Sequence, residues 1–346
     1  MEKTILVAGA SGITGSYIAQ SLRALPSTDG AGKVLTLSRG GEADLKADLT
    51  NPASVNSIVN ALTPVTHIFY TAFAGGGPGR DWGALTELNT GMFTNLLDAV
   101  QANSPHLRRI ILMQGQKYYG THLGPFKTPA RESDPRHAGE NFYFNQEDLL
   151  AKRCAAAHSG NTWDYVCLRP HMVCGHNDRA PQNPISVLSQ FAYLKKQAGE
   201  ALNYPGPEQA YGRVNQATDA NLLAKSARWA MDAPGIGGEA FNIINGDYIR
   251  WQLIWPILAN VFDMPLGEVV TQDLTKTMPA LGKRFLPTKA APDWGFGNYM
   301  LGCTWDVMGC TLKARKFGFN DFQDTQEMYR ELFEQARVKL EALATN

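Results

Sequence analysis

The sequence predicts an α/β protein, with a doubly wound parallel sheet covered by helices on both faces and a smaller, mostly helical C-terminal part. Three observations lead there. Over the first 115 residues, short apolar runs alternate with stretches that are apolar at helical spacing. A glycine-rich turn follows the first of those runs. Beyond about Pro181 the rhythm breaks into longer helical patterns and Pro/Gly-rich loops. Alternation of strand and helix over this length implies parallel strands joined by crossover helices.

The elements follow in order. Residues 4–7 are an apolar run ending in glycines, a first strand, and residues 13–25 are apolar at helical spacing. Residues 33–37 and 43–48 read as the second and third strands, with a helix over 52–62. A fourth strand spans 65–70, Val65-Thr66-His67-Ile68-Phe69-Tyr70. Over 84–100, Leu85, Leu88, Met92, Leu96 and Val100 share one helical face. Residues 109–113 are a fifth strand, 141–158 a helix and 163–168 a sixth strand. A late strand is expected over 239–244, and an amphipathic helix over 324–343 with Met328, Leu332, Phe333 and Ala336 in register. The run Ala74-Gly75-Gly76-Gly77-Pro78-Gly79 is a loop.

Composition removes several function classes. The chain has 346 residues, 32 Lys plus Arg and 32 Asp plus Glu, so its formal charge is zero. With 44% hydrophobic and 18% charged residues it is too apolar for a disordered chain. A zero balance supplies no field to hold nucleic acid or an anionic membrane surface. The five cysteines, Cys154, Cys167, Cys174, Cys303 and Cys310, include no CxxC pair, which argues against a disulfide framework or a zinc ribbon. Cys303 and Cys310 stand seven apart, the spacing of one helical face. No HExxH or clustered Cys/His pattern calls for a metal. The N-terminus lacks a basic leader, and no apolar run reaches the roughly 18 residues of a membrane span. A cytoplasmic location with reduced thiols is expected.

After the first strand comes Gly9-Ala10-Ser11-Gly12-Ile13-Thr14-Gly15. One glycine permits the tight turn, one lets backbone approach a pyrophosphate, and one lets the helix pack close to the strand. The helix then directs its first N–H groups at the phosphates. This is the turn of a Rossmann-type dinucleotide site, and its GxxGxxG form resembles that of short-chain dehydrogenase/reductase proteins. Gly9, Ser11, Gly12, Ile13 and Gly15 are the candidate phosphate contacts. The second strand ends Leu37-Ser38-Arg39-Gly40, where an NAD site usually has an acidic residue for the ribose diol. Ser38 and Arg39 suit a 2′-phosphate instead, so NADP(H) is expected over NAD(H). Glu42, a little further on, remains within reach of a ribose. Asp48 and Leu49 follow the third strand, where this superfamily contacts adenine, and Thr71 and Ala72 follow the fourth, lining the cofactor cleft. Residues 1–175 are read as the cofactor-binding domain. Residues 176–346 are read as the substrate-binding part, with about 215–245 returning to the first domain.

Short-chain reductases usually carry a Tyr with a Lys four residues later; the Tyr donates to the substrate oxygen and the Lys favours its anion. Here Tyr143 stands near the start of a helix, but four residues on is Glu147, a carboxylate. A cation appears elsewhere, as Lys117 after the fifth strand, at the end that opens onto the cleft of a doubly wound sheet. Gly115-Gln116-Lys117-Tyr118-Tyr119, Gly124-Pro125-Phe126 and Asn141-Phe142-Tyr143 with Glu147-Asp148 together resemble the progesterone 5β-reductase/iridoid synthase-like family, an atypical short-chain dehydrogenase branch. The likeness continues in the fourth strand, in Thr162-Trp163, in Arg169-Pro170 with Gly175, in Glu239-Ala240-Phe241-Asn242 and in Asn245-Gly246-Asp247. Departures lie near the expected pocket: Tyr118 in place of His, Met113-Gln114 in place of Gln-Thr, an insertion between Gly120 and Gly124, the glycine-rich loop and His176-Asn177-Asp178. They bear on which substrate is taken more than on reaction type.

The resemblance implies NADPH-dependent reduction of the C=C bond of an activated enone or enal. Tyr143 would hold the enolate oxygen and Lys117 would assist; Pro170 and Val173 would join the cofactor contacts. It implies a small-molecule substrate and allows a homodimer. Two other functions are weighed. An extended-type sugar-nucleotide epimerase or dehydratase is opposed by Glu147 at the usual lysine position. A non-catalytic NADP(H)-sensing protein is opposed by the retained tyrosine. His171 and His176 read as a core-edge and a loop residue, and Tyr118, Tyr119, Phe126, Phe142 and Trp82 as pocket or core.

Overall fold

Parallel strands must be covered on both faces, and the first strand shows how this chain does it. Leu6 and Ala8 point into one core and Ile5 and Val7 into another, with all four fully buried. In this computed structural model, residues 2–25, 32–75, 81–156 and 163–344 are described. Residues 76–79 of the glycine-rich loop, positions 157 and 158 of the expected helix, and Thr162 lie outside them.

The strands are β1 (Thr4–Ala8), β2 (Lys33–Ser38), β3 (Leu45–Lys46), β4 (His67–Tyr70), β5 (Arg109–Met113), β6 (Asp164–Pro170), β7 (Val173–Cys174), β8 (Leu202–Tyr204), β9 (Thr218–Asp219), β10 (Glu239–Ile243) and β11 (Leu266–Val269). Seven form one parallel sheet, in the order β10-β6-β5-β4-β1-β2-β3. The order reverses between β1 and β4. A crevice therefore opens outside their carboxyl ends, where doubly wound sheets bind ligands. Helix Trp82–Asn103 covers one face through Met92, Phe93, Leu96 and Val100. Helices Ile13–Arg23 and Ala220–Asp232 cover the other through Ile18, Leu22, Leu222, Leu223 and Ala227. A further core is built from helices Pro184–Gln197, Trp251–Val261, Leu274–Phe285, Trp294–Leu301 and Thr325–Ala344, around Phe191, Trp255, Tyr329 and Phe333.

Two expectations need correction. The helix over 52–62 breaks into Pro52–Asn56 and Val59–Leu62. Ile58 N–H bonds to Val55 O three residues back, which tightens the turn and ends the first piece. Cys303 and Cys310 do not share a helix. The helix before them stops at Leu301, with Gly302 at its cap, and Cys310 lies in the extended segment bonded to Ala130.

Within β4, His67 is buried, and its Nδ1 lies 2.9 Å from Thr66 Oγ1. That hydroxyl already donates to Thr4 O, so the imidazole Nδ1–H is the donor of the pair. Burial pushes His67 down to about 4, against a small opposing effect of Asp232. The folded protein thus holds this ring neutral where the unfolded chain, near 6.5, takes up a proton. Stability is expected to fall as pH drops from about 6.5 to 4. In urea unfolding across that range, His67→Gln should show a shallower pH slope than the parent. An equal slope would remove His67 as the cause.

Candidate active site

Gly9 has φ +86°, and a Cβ there would stand 2.6 Å from Ala72 N, so only glycine allows β1 to turn beneath β4. A Cβ on Gly15 would meet Gly9 O at 2.4 Å and Thr71 Oγ1 at 2.7 Å, which fixes the close approach of helix to strand. Gly12 has nothing nearer than Gly9 O at 3.4 Å and faces the groove. It stands at the N-cap of helix Ile13–Arg23 without a capping side chain, leaving the first helical turn to an external anion. The groove encloses about 690 Å³ and brings together Gly9, Ser11, Gly12, Ile13, Gly15, Ser38, Arg39, Asp48, Leu49, Thr71 and Ala72. A cradle that side chains would fill, beside an uncapped helix start, fits a dinucleotide pyrophosphate. Ser38 is less free than its position suggests, since its hydroxyl donates to Gly40 O at 2.6 Å.

The groove runs into a second cavity of about 300 Å³; Thr14, Thr71, Ala72, Phe73 and Gln182 line both. Lys117, Tyr143, Pro170 and Val173 line this inner chamber together with Trp82, Phe142, Phe296 and Tyr299. Lys117 sits in a short 3-10 turn, Gln116–Tyr119, directly after β5, and Tyr143 in the first turn of helix Phe142–Ala156. One side chain couples them. Asn141 Nδ2 donates to Lys117 O at 3.0 Å, while Asn141 Oδ1 accepts the Tyr143 N–H at 3.0 Å, capping the helix. His137 Nε2 lies 3.1 Å from the same amide nitrogen. The Tyr143 hydroxyl lies over the end of β5, where a Cβ on Gly115 would be 3.1 Å from it.

Electrostatics in the chamber follow from burial. The Lys117 ammonium lies 5.5 Å from the Trp82 ring and 5.3 Å from the Tyr299 ring, held by aromatic faces. Burial pushes its pKa down. Burial pushes the Tyr143 hydroxyl up, and nearby Tyr299 adds to the rise. Tyr143 is therefore a neutral donor across the working pH range. His171, pushed down to about 4 chiefly by burial, is neutral and lies 3.0 Å from Asn215 Oδ1 through Nε2.

Glu147 proves to be an anchor. Arg169, at the end of β6, is 1% exposed. Its Nη2 lies 3.2 Å from Glu147 Oε1, its Nε donates to Gln114 Oε1 at 2.8 Å, and its Nη1 donates to the Tyr119 hydroxyl at 3.1 Å. The guanidinium stacks on Tyr118, 3.3 Å from the ring centroid. Gln114 Nε2 in turn donates to Tyr143 O at 3.1 Å. The buried cation thus braces the helix that carries Tyr143 against the strand that leads to Lys117.

The sequence-selected aromatics divide: Trp82 and Phe142 line the chamber, while Tyr118 and Tyr119 are buried with Phe126 packed beside them. Asn141, Gln114 and Arg169 went unassigned, although Asn at a helix start is a readable capping signal. Among the described residues no group of three or more His, Cys, Asp or Glu could hold a metal. No described helix is long and apolar enough to cross a membrane.

Residues 5–225 match the model of the NAD dependent epimerase/dehydratase family. The chain is 30% identical to (S)-8-oxocitronellyl enol synthase of Antirrhinum majus, over 95% of this chain and 90% of that protein. It is 28% identical to 3-oxo-Delta(4,5)-steroid 5-beta-reductase of Arabidopsis thaliana, again over 95% of this chain and 90% of the relative. In fold it is similar to RMD from Pseudomonas aeruginosa, solved with NADPH, at TM-score 0.70 and 16% identity, covering 98% of this chain and 99% of that one.

Glu147→Gln would leave a buried guanidinium facing only neutral acceptors, which costs about 3 kcal/mol. Denaturant unfolding at neutral pH should show that loss. Parent-like stability would refute the anchoring role.

Proposed function

The chain belongs to the NAD dependent epimerase/dehydratase family and is an NAD(P)-dependent oxidoreductase of its progesterone 5β-reductase/iridoid synthase-like branch, and on that premise we propose that it reduces the C=C bond of activated enones or enals with NADPH. The observation that carries this reading is the meeting of Tyr143 and Lys117 on the wall of one chamber that opens directly into the dinucleotide groove.

A reduced nicotinamide, when bound, supplies a hydride to the β-carbon of the substrate. Negative charge then develops on the carbonyl oxygen as an enolate. Tyr143 donates a hydrogen bond to that oxygen. A donor fixed in place binds the developing charge more strongly than the ground-state carbonyl, which lowers the barrier. Its raised pKa keeps it protonated for this task. Lys117 supplies positive potential from between Trp82 and Tyr299. Buried and flanked by those two rings, the ammonium is weakly screened. The α-carbon takes its proton from solvent.

On the cofactor side, Gly9, Ser11, Gly12, Ile13 and Gly15 hold the pyrophosphate, Ser38 and Arg39 the 2′-phosphate, and Asp48 and Leu49 the adenine. Thr71, Ala72, Pro170 and Val173 line the path to the nicotinamide. Residues 1–175 form the cofactor unit and 176–346 the substrate unit in this reading, with residues 215–245 supporting the sheet. The chamber lining argues against a sugar nucleotide. Among the described residues that line it there is no Arg, Asp or Glu, Lys117 is the one cation, and His171 is neutral. Phe73, Trp82, Phe142, Phe296, Met172 and Met300 suit an uncharged, apolar enone.

Tyr143→Phe should bind NADPH as the parent does and reduce a panel of cyclic and open-chain enones roughly 100-fold more slowly. Lys117→Met should also slow turnover. Absorbance at 340 nm together with identification of the C=C-reduced product checks both. Unchanged turnover in both variants would reject the Tyr/Lys assignment, and NADPH binding without turnover on any enone, carbonyl or sugar nucleotide would favour a sensor.

A further inference from the structure

Arg179 has no part in the site as described so far. It lies after Gly175, where the chain crosses above the phosphate-binding turn. Two contacts fix that crossing. Asn177 Nδ2 donates to Ser11 O at 3.1 Å and to Ser16 Oγ at 3.2 Å. His176 N–H donates to the Tyr17 hydroxyl oxygen at 2.9 Å. Asn177 Oδ1 then accepts the Arg179 N–H at 2.8 Å, which turns the chain back toward the loop after β2.

There the Arg179 guanidinium lies against backbone. A Cβ built on Gly41 would stand 2.4 Å from Arg179 Nη1, and Gly41 itself has φ +79°. Only glycine accommodates both the conformation and the contact. Arg39 is two residues earlier in the same loop, and both arginines line the dinucleotide groove. Both side chains are exposed, and among the described residues neither takes part in an ion pair. Two of the carboxylates nearby are already engaged. Asp178 pairs with Lys289. Asp48 accepts from the Thr50 N–H at 3.0 Å and the Thr50 hydroxyl at 2.8 Å; these bonds hold its carboxyl below the usual range, with a smaller contribution from Arg39.

We propose that Arg39 and Arg179 together form the 2′-phosphate site, one cation from each half of the chain, and that Arg179 sets the preference for NADP(H) over NAD(H). A single exposed cation is worth little in water. Two guanidinium groups converging on one dianion add fork-like, charge-assisted bonds and place the phosphate between them. This rests on the cofactor part of the reading above and is independent of the enone chemistry.

The test is binding to the full-length protein freed of nucleotide. NADPH and NADH are titrated by nucleotide fluorescence, and 2′,5′-ADP and 5′-AMP by thermal shift. Arg179→Gln should weaken NADPH and 2′,5′-ADP about ten-fold, the loss of one charge-assisted contact, and leave NADH and 5′-AMP unchanged. Arg179→Lys should recover only part of that loss. NADPH affinity should also fall less steeply with added salt in Arg179→Gln than in the parent. The proposal is overturned if Arg179→Gln changes NADPH and NADH alike, if it changes neither, or if the parent binds the two nucleotides equally. These readouts need no turnover, so failure of the enone reading would leave them standing.

Discussion

The buried guanidinium of Arg169 is the constraint on which the site depends. A cation 1% exposed at the carboxyl end of β6 requires a counter-charge and a full set of acceptors. Glu147, Gln114, the Tyr119 hydroxyl and the face of Tyr118 meet that requirement. In doing so they tie together three separate pieces of chain: the end of β5, the end of β6 and the second turn of helix Phe142–Ala156. Tyr143 and Lys117 ride on two of these pieces, and Asn141 adds a direct bridge between their backbones. A catalytic donor must be held to a fraction of an ångström to favour a transition state over a ground state. In the proposed mechanism the Arg169 network would supply that rigidity to Tyr143.

The chamber and the groove divide the electrostatic work. In the chamber, aromatic faces flank the Lys117 ammonium, and burial acts in opposite senses on Lys117 and Tyr143. It lowers the Lys117 pKa and raises that of Tyr143, because each shift favours the uncharged form. The result is a neutral hydroxyl and a poorly solvated ammonium on the wall of one chamber, the setting on which the proposed enolate stabilisation rests. In the groove the arginines Arg39 and Arg179 face solvent. The crossing segment at His176 and Asn177 closes over the glycine turn, so the groove is lined by residues far apart in sequence.

Much of the fold was legible because it rests on local periodicity. Seven strands and their covering helices show as alternating apolar runs, and the glycine turn shows as a spacing that backbone geometry demands. Where local competition decides, as at Ile58 or between Cys303 and Cys310, periodicity alone extends a helix that turn bonding or a glycine cap ends. Tyr143 and Lys117 could be singled out as candidates because each stands at the end of an element that opens onto the crevice, and both line the same chamber. Glu147 was legible as a misplaced charge, and only its distance to Arg169 explained it.

By itself, then, the sequence determined the doubly wound sheet, the glycine turn after its first strand, the candidate pair Tyr143 and Lys117, and a net charge of zero. These are properties of residue type and short-range spacing. Tertiary structure decided which charges are buried in the scaffold and which line the groove. Arg169 and Arg179 stand ten residues apart in sequence. One is buried in a hydrogen-bond network at the end of β6, and the other is carried by the crossing segment to the far rim of the groove. Burial, partners and electrostatic environment depend on which segments meet in space, and those meetings are set by packing across the whole chain.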